Sequence, residues 1–248
     1  MNINLLQQKL DSLYRLWKDG KLGGEYMPED SKPQLKKESL QNYNYFTLPM
    51  ALNYQRNSYK LWEGAKLTFE DEETQFVFDT NKALAESAEK VRASLVKYKV
   101  ALQPNKQTQT WLKLCQTIQM LFDGDIRNLF IQCDFDIEKI KDFIQVKHKK
   151  EFPYLSGQKI CNYWLYVLSQ YTDANFKNLE KLTVAVDTHV VQSCLKLGVI
   201  NEMEAAQNNV QELVSARVNE ILKGTKYNAI DLHTPLWLWS RNGFINLN

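Results

Sequence analysis

Apolar residues recur at intervals of three and four positions along most of this sequence, which is the period of an amphipathic α-helix. The first segment is the clearest case, and its apolar face comprises Leu5, Leu6, Leu10, Leu13 and Leu16. Glycines at positions 20, 23 and 24 then end the helix. Residues 25–38 are polar and contain two prolines, so we predict an exposed loop there.

The same period predicts helices over much of the remaining chain. They cover residues 45–67, 80–102, 111–121, 124–131, 136–148, 160–168, 187–197 and 202–222. Pro104 and Asn105 indicate a turn between two of them. In the helix over 136–148, four side chains are predicted to face inward, namely Ile137, Ile140, Ile144 and Val146.

Residues of the kinds that end helices stand at several of these boundaries. Ser156 is placed to cap the helix that follows it, and Asp187 to cap the helix that it begins. Gly198 comes where a helix commonly ends on a glycine. The alternating stretches 70–79 and 182–186 indicate short extended pieces.

Composition favours a helical fold. The chain has only nine glycines and six prolines among 248 residues, whereas sandwiches and barrels need many turns. This length suffices for one large domain or two small lobes with a sizeable core. We therefore predict an all-α protein.

Charge narrows the class of protein only slightly. The formal net charge is +2, which neither requires nor excludes a nucleic-acid partner, because a local basic face suffices for binding. The first residues lack the pattern of a secretory signal, and no stretch approaches the about 20 apolar residues of a membrane span. A soluble, intracellular protein is expected.

The four cysteines do not predict a metal site. Cys115, Cys133, Cys161 and Cys194 include no closely spaced pair of the kind that binds zinc or an iron–sulfur cluster. They stand among apolar residues, so we interpret them as buried, reduced thiols.

Candidate chemistry is concentrated in one stretch of the chain. A tight connection ends at Gly157, and Lys159 follows on the first turn of a helix. Helix N-termini bind phosphate through backbone N–H groups, and a glycine lets the backbone approach it closely. The positive end of the helix dipole also favours the neutral amine of Lys159. A neutral amine is what a Schiff-base nucleophile requires.

Asp187 supplies a carboxylate with complementary properties. Its place at a helix N-terminus favours the ionised form. An ionised carboxylate stabilises the positive charge that develops when a glycosidic bond breaks, and it can orient or deprotonate an attacking amine.

These two segments resemble the helix-hairpin-helix DNA glycosylases. Residues 153–159 resemble the family's L-P-G-V-G-x-K hairpin, with Gly157 and Lys159 matching and Leu155 standing at the first glycine. Residues 186–190 read V-D-T-H-V and resemble the family's V-D-x-H-V segment. The Lys159-to-Asp187 spacing of 28 residues is similar to that of the archaeal GO glycosylases, which remove 8-oxoguanine.

Two further segments resemble the same branch. Residues 50–56 resemble its L-x-x-Y-Q segment, whose glutamine, here Gln55, lies at the damaged base or in the space that the base leaves. Residues 232–237 resemble its L-D-x-x-L-W segment, whose tryptophan, here Trp237, stacks on the extruded base. His233 stands where that branch has a carboxylate.

The resemblance implies a two-lobed helical fold with a helix-hairpin-helix motif and a cleft between the lobes. We divide the chain into a lobe of about residues 56–170 and a lobe made of 1–55 and 171–248. No segment matches the iron–sulfur loop of some members, so we expect neither metal nor other cofactor. The expected partner is double-stranded DNA with a damaged base, bound by a monomer in the cytoplasm, at the nucleoid, or in the nucleus.

The implied activity is that of a base-excision glycosylase and AP lyase, with Lys159 as nucleophile and Asp187 as the assisting carboxylate. Candidate base contacts are Gln55, His233 and Trp237. Candidate contacts to the DNA backbone are Arg56, Lys149, Lys150, Gly157 and His189. Two alternatives stay open: a glycosylase for another damaged or modified base, and a non-catalytic helix-hairpin-helix protein that only binds DNA.

Overall fold

A computed structural model of the protein describes residues 2–22 and 27–247. Its regular structure is helical, and these residues include no β-strand, so the all-α prediction is confirmed. In chain order the α-helices are α1 (Ile3–Lys18), α2 (Leu40–Thr47), α3 (Ser58–Glu70), α4 (Thr80–Ala85), α5 (Ala88–Lys97), α6 (Pro104–Phe122), α7 (Arg127–Gln132), α8 (Ile137–Asp142), α9 (Gln158–Tyr171), α10 (Thr188–Leu197), α11 (Glu202–Ala205), α12 (Val210–Leu222) and α13 (His233–Arg241). Short 3₁₀ turns and one π-helix, Phe143–Lys147, join several of them.

The chain forms two compact units. The terminal unit comprises Met1–Tyr26 and Leu179–Asn248, and the central unit comprises Met27–Asn178. The division expected from the sequence lay at residues 55/56 and 170/171 instead. The segment before residue 56 belongs with the central unit because α2 packs into its core. There the rings of Tyr45 and Phe46 each lie 5.7 Å from the ring of Trp62.

The core of the terminal unit is built on the leucine stripe of α1. Leu6, Leu10 and Leu13 are buried against residues of α10, α12 and α13, as the periodicity predicted. Burial of each such side chain contributes about 2 kcal/mol. Gly198 ends α10 with φ of +83°, in the left-handed conformation expected of a C-terminal glycine.

Several local predictions were wrong. Residues 75–78 form a 3₁₀ helix rather than an extended piece, and the indole of Trp111 donates a hydrogen bond to the carbonyl of Val77 at 2.9 Å. Val146 is 72% exposed because the π-helix changes the register of side chains after α8. Gly157, not Ser156, is the N-cap residue of α9.

The four cysteines are buried and free, as expected. Burial raises the pKa of the Cys115, Cys161 and Cys194 thiols to about 12. These thiols therefore stay protonated at neutral pH and serve as apolar packing groups.

A buried carboxyl group in the central unit makes stability depend on pH. Glu29 is fully buried, and the hydroxyl of Tyr163 on α9 donates a hydrogen bond to its Oε2 at 2.8 Å. Burial raises the pKa of Glu29 from 4.5 to about 7, and this outweighs the Tyr163 hydrogen bond, which lowers it. The folded protein thus keeps a proton on Glu29 at pH values where the unfolded chain has released it.

We expect the free energy of unfolding to fall by about 3 kcal/mol as pH rises from about 4.5 to about 7, through Glu29 alone. Below that window the protonated carboxyl contributes its full stability, and above it that contribution is lost. Glu29→Gln should match the wild type at pH 5 and exceed its stability at pH 8.5, measured by urea unfolding. The control is Glu63→Gln, on the exposed face of α3. If Glu29→Gln differed from the wild type by the same free energy of unfolding at pH 5 and pH 8.5, Glu29 would not be the source of the pH dependence.

Candidate functional site

The predicted site residues fall into two groups, one in each unit. The central unit holds Gln55, Arg56, Lys149, Lys150, Gly157 and Lys159. The terminal unit holds Asp187, His189, His233 and Trp237. Within each group the structure brings several of these residues close together.

A tight turn of residues 148–157 leads into α9 in the central unit. Three successive backbone hydrogen bonds close it: Leu155 N–H to Pro153 O, Ser156 N–H to Phe152 O, and Gly157 N–H to Tyr154 O, at 2.8–3.0 Å. Leu155, which stands where the resembled hairpin has a glycine, is buried and anchors the turn. A Cβ at Gly157 would lie 3.2 Å from Tyr154 O, so the turn is tight at the glycine.

Lys159 lies exposed on the first turn of α9. The first helical bond of this end runs from Cys161 N–H to Gly157 O, and no side chain caps the preceding N–H groups. Uncapped N–H groups at a helix N-terminus attract anions. Among the described residues Lys159 has no ion-pair partner, so its amine is available for chemistry.

Three lysines, at positions 147, 149 and 150, stand at the start of this turn, and two of them are also available. Lys149 and Lys150 are exposed and pair with no carboxylate in the described part of the chain. Lys147 differs from them because its Nζ lies 2.7 Å from Asp142 Oδ2. Lys149 and Lys150 therefore supply unpaired positive charge at the start of the turn.

Gln55 lies in a short loop between α2 and α3. Its φ of +50° is unusual for a residue with a side chain, and the side chain is exposed. The next residue, Arg56, donates to Val100 O at 2.6 Å and to Lys99 O at 2.8 Å. Burial lowers the pKa of this guanidinium to about 10. Arg56 thus has a structural role in fastening the loop, and its contact with DNA stays a prediction.

A ring stack joins the Gln55 loop to the turn before α9. The rings of Tyr54 and Tyr154 lie parallel, with centroids 3.9 Å apart. The amine of Lys106, on the first turn of α6, lies within 6 Å of both ring centroids. No pattern in the sequence indicated this cluster, although Tyr54 adjoins Gln55 and Tyr154 lies in the predicted hairpin.

Asp187 caps α10 in the terminal unit, as predicted. Its Oδ1 accepts a hydrogen bond from Val190 N–H at 3.0 Å. The side chain is only half-buried, and Oδ2 has no hydrogen-bond donor among the described residues. One oxygen therefore holds the helix end while the other is free to act on a substrate.

His189 is oriented by a polar chain that leads to α13. The Oγ of Ser240 donates to Gln192 Oε1 at 2.8 Å, and His189 Nδ1 lies 3.1 Å from the same Oγ. Because the single hydroxyl proton goes to Gln192, Nδ1 of His189 must be the donor in its contact. In the neutral ring this leaves Nε2 as an acceptor.

Trp237 lies against His189, with ring centroids 5.7 Å apart in an edge-on arrangement. The guanidinium carbon of Arg241 lies 5.2 Å from the Trp237 ring, one turn along α13. Trp237 is half-buried, whereas Trp239 is buried and donates to Ile245 O at 2.7 Å. Of the two tryptophans, Trp237 is thus the one with an accessible ring. Arg241 was missed in the sequence, where only its four-residue spacing from Trp237 could have indicated it.

His233 lies four residues before Trp237 and begins α13. It is buried, with 6% of its surface exposed. His189 and Trp237 thus lie in contact where α10 packs on α13, with Asp187 two residues before His189 and His233 one turn before Trp237. Base contact by His233 stays a prediction.

Comparison with known proteins adds no family assignment. No protein-family model matches the chain, and no curated protein matches it. The resemblance to the glycosylases therefore depends on the motif residues themselves. Within the described residues, no helix is long and apolar enough to cross a membrane.

Proposed function

We propose that the protein is a DNA base-excision glycosylase with AP lyase activity, which removes a damaged base, 8-oxoguanine, through a lysine Schiff base. The observation that carries the proposal is the position of Lys159. Its exposed, unpaired amine follows a tight turn and lies beside uncapped N–H groups of α9. That arrangement supplies a nucleophile and a phosphate-binding backbone within a few residues of each other.

The first step replaces the glycosidic bond by a bond to the enzyme. A base inside the stack is unreachable, so the lesion nucleotide must first be extruded. The Lys159 amine then forms an N–C1′ bond while the C1′–base bond breaks, and the base leaves with the bonding electrons and takes up a proton. Loss of the amine proton and opening of the sugar ring give the imine.

The second step nicks the strand. The imine makes the C2′ proton acidic, and its removal breaks the C3′–O bond by β-elimination. Water then releases the sugar fragment from Lys159. No external oxidant or reductant is needed, which agrees with a chain expected to work without a cofactor.

Asp187 supports both steps in this proposal. Its free Oδ2 stabilises the positive charge at C1′ and moves protons to and from the amine. Trp237 offers an accessible aromatic face for the extruded base, and Gln55 offers an exposed amide. Gly157, Lys149 and Lys150 contribute the grip on the DNA backbone in this proposal.

The identity of the excised base is tested with a panel of DNA duplexes. Each duplex carries one lesion, and strand cleavage is followed before and after alkali. The proposal expects cleavage at 8-oxoguanine without alkali. Activity confined to another lesion would favour the second candidate, a glycosylase for a different damaged base. That candidate is motivated by His233, which is buried and stands where the resembled branch has a carboxylate. Binding with no excision of any base would support a protein that only binds DNA.

The two free lysines should contribute to binding through phosphate contacts. Counterion release makes the logarithm of the binding constant fall with the logarithm of salt concentration, by about 0.9 per phosphate contact. The double variant Lys149→Gln, Lys150→Gln should therefore reduce this slope by about 2. Fluorescence anisotropy between roughly 50 and 200 mM salt measures it.

The matched control for that measurement is Lys147→Gln. Its amine is already paired with Asp142, so the slope should change much less. Equal changes in both variants would mean that net charge, and not the position of Lys149 and Lys150, governs binding.

A further inference from the structure

The ring stack in the central unit links two segments that are far apart in the sequence. Tyr54 and Tyr154 lie face to face, with ring planes 5° apart and centroids at 3.9 Å. Tyr154 has φ of +63°, a backbone conformation that bulky residues rarely adopt. Such a conformation persists only where surrounding contacts hold it. The stack on Tyr54 is a contact of that kind.

Lys106 lies over the edge of this stack. Its Nζ is 5.7 Å from the centroid of the Tyr54 ring and 5.5 Å from that of Tyr154. The hydrogen bond between the side chains of Lys106 and Tyr154 lowers the pKa of Tyr154 and raises the pKa of Lys106. The cation therefore ties the turn before α9 to the start of α6 as well.

The stack adjoins Gln55, whose conformation depends on its neighbours. Gln55 has φ of +50° and makes no hydrogen bond of its own to the described residues. On one side Tyr54 is held by the stack, and on the other Arg56 is held by the carbonyls of Lys99 and Val100. These two attachments keep an exposed amide in a strained conformation.

The location of the stack argues against a role in the core alone. Both rings are half-buried, and Lys106 is exposed. The apolar core of this unit is formed by other rings, such as Trp62, Trp111 and Trp164, which are fully buried. The stack instead connects two exposed features, the Gln55 loop and the turn that leads to Lys159.

We propose that Tyr154 is a positioning residue: through its stack on Tyr54 it holds the Gln55 loop in register with the turn that binds the DNA backbone. This inference rests on the proposed function, because it assigns the stack to alignment of the amide of Gln55 with the lesion nucleotide. Binding of the DNA backbone by the turn and contact of Gln55 with the lesion base then occur together, because the Tyr54–Tyr154 stack joins the turn to the Gln55 loop.

Three variants separate the ring from other effects. Tyr154→Gly removes the ring and relieves the backbone, because glycine accepts a positive φ without strain. Tyr154→Phe keeps the stack and loses the bond to Lys106. Tyr54→Phe is the matched control, because it keeps both rings and the bond between Lys106 and Tyr154.

The first measurement uses the free protein and needs no activity. Backbone ¹⁵N order parameters report motion on the picosecond-to-nanosecond timescale, with about 0.85 for a rigid backbone and less than about 0.6 for a flexible one. We expect Gln55 to be rigid in the wild type and in both Phe variants, and flexible in Tyr154→Gly. A rigid Gln55 in Tyr154→Gly would overturn the proposal.

The second measurement is steady-state excision on a lesion duplex. Misplacement by about 1 Å can cost about 100-fold in rate, so Tyr154→Gly should lower kcat roughly 10- to 100-fold. KM should stay within about threefold, because the contacts to the DNA backbone remain, and Tyr154→Phe should restore kcat. A flexible loop with unchanged kcat would overturn the positioning role. An inactive wild type whose loop still loosens in Tyr154→Gly would overturn the proposed function and leave the link between the segments standing.

Discussion

Lys159→Ala should form no covalent adduct with lesion DNA in the presence of borohydride, under conditions in which the wild type is trapped efficiently. Borohydride reduces the imine to a stable amine, so only a protein that has formed a Schiff base is captured. The exposed and unpaired position of Lys159 makes it the candidate for this bond. Denaturing gel electrophoresis of a labelled duplex measures the adduct, and strand cleavage should be lost with it.

Two other lysine variants make this test specific. Lys159→Arg places a permanent positive charge beside the uncapped end of α9 and removes the nucleophile, because a guanidinium is not deprotonated in proteins. It should bind DNA and form no adduct. Lys149→Ala should form the adduct normally, since Lys149 is assigned only to the backbone. Trapping of Lys159→Ala at the wild-type level would show that another amine is the nucleophile.

Asp187→Asn should slow base excision by about 10²- to 10⁴-fold while the protein stays folded. Asparagine is as good an N-cap residue as aspartate, so the hydrogen bond from Val190 N–H is retained. What is lost is the negative charge of the free oxygen. Asp187→Ala should lose the cap as well, at a cost of about 1 kcal/mol in the free energy of unfolding. Single-turnover excision rates and urea unfolding measure the two effects separately.

Asp136→Asn is the control, because it makes the same substitution at the N-cap of another helix, α8. Asp136 caps α8 by accepting from Glu138 N–H and Lys139 N–H, so the change is chemically identical. It should leave the excision rate unaltered. If Asp187→Asn excised bases at the wild-type rate, the carboxylate would act only as a cap.

The parts of the fold that follow from local rules were predictable from the sequence. The leucine stripe of α1, the cap at Asp187 and the glycine at 198 each depend on residues a few positions apart. The period also predicted the all-α class. It failed after α8, where the i→i+5 bonds of a π-helix turn Val146 outward, because periodicity assumes a regular helix.

The sequence indicates which residues to propose for the site, but it does not indicate how they are arranged. Nothing local in the sequence indicates that Arg56 bonds to the carbonyls of Lys99 and Val100, or that Tyr54 stacks on Tyr154. Such contacts between distant positions arise only when the helices pack. The division into units was shifted for the same reason, because the aromatic contacts of α2 decide where it belongs.

The construction of the terminal unit from both flanks of the sequence has a consequence for biosynthesis. Leu6, Leu10 and Leu13 are translated well before α12 and α13, on which they pack. Even the amide of Gln7 bonds to the carbonyl of Ile221. The central unit has all its own residues much earlier and can fold while synthesis continues. Until α12 and α13 have left the ribosome, the apolar face of α1 lacks these partners, and a chaperone is expected to protect it.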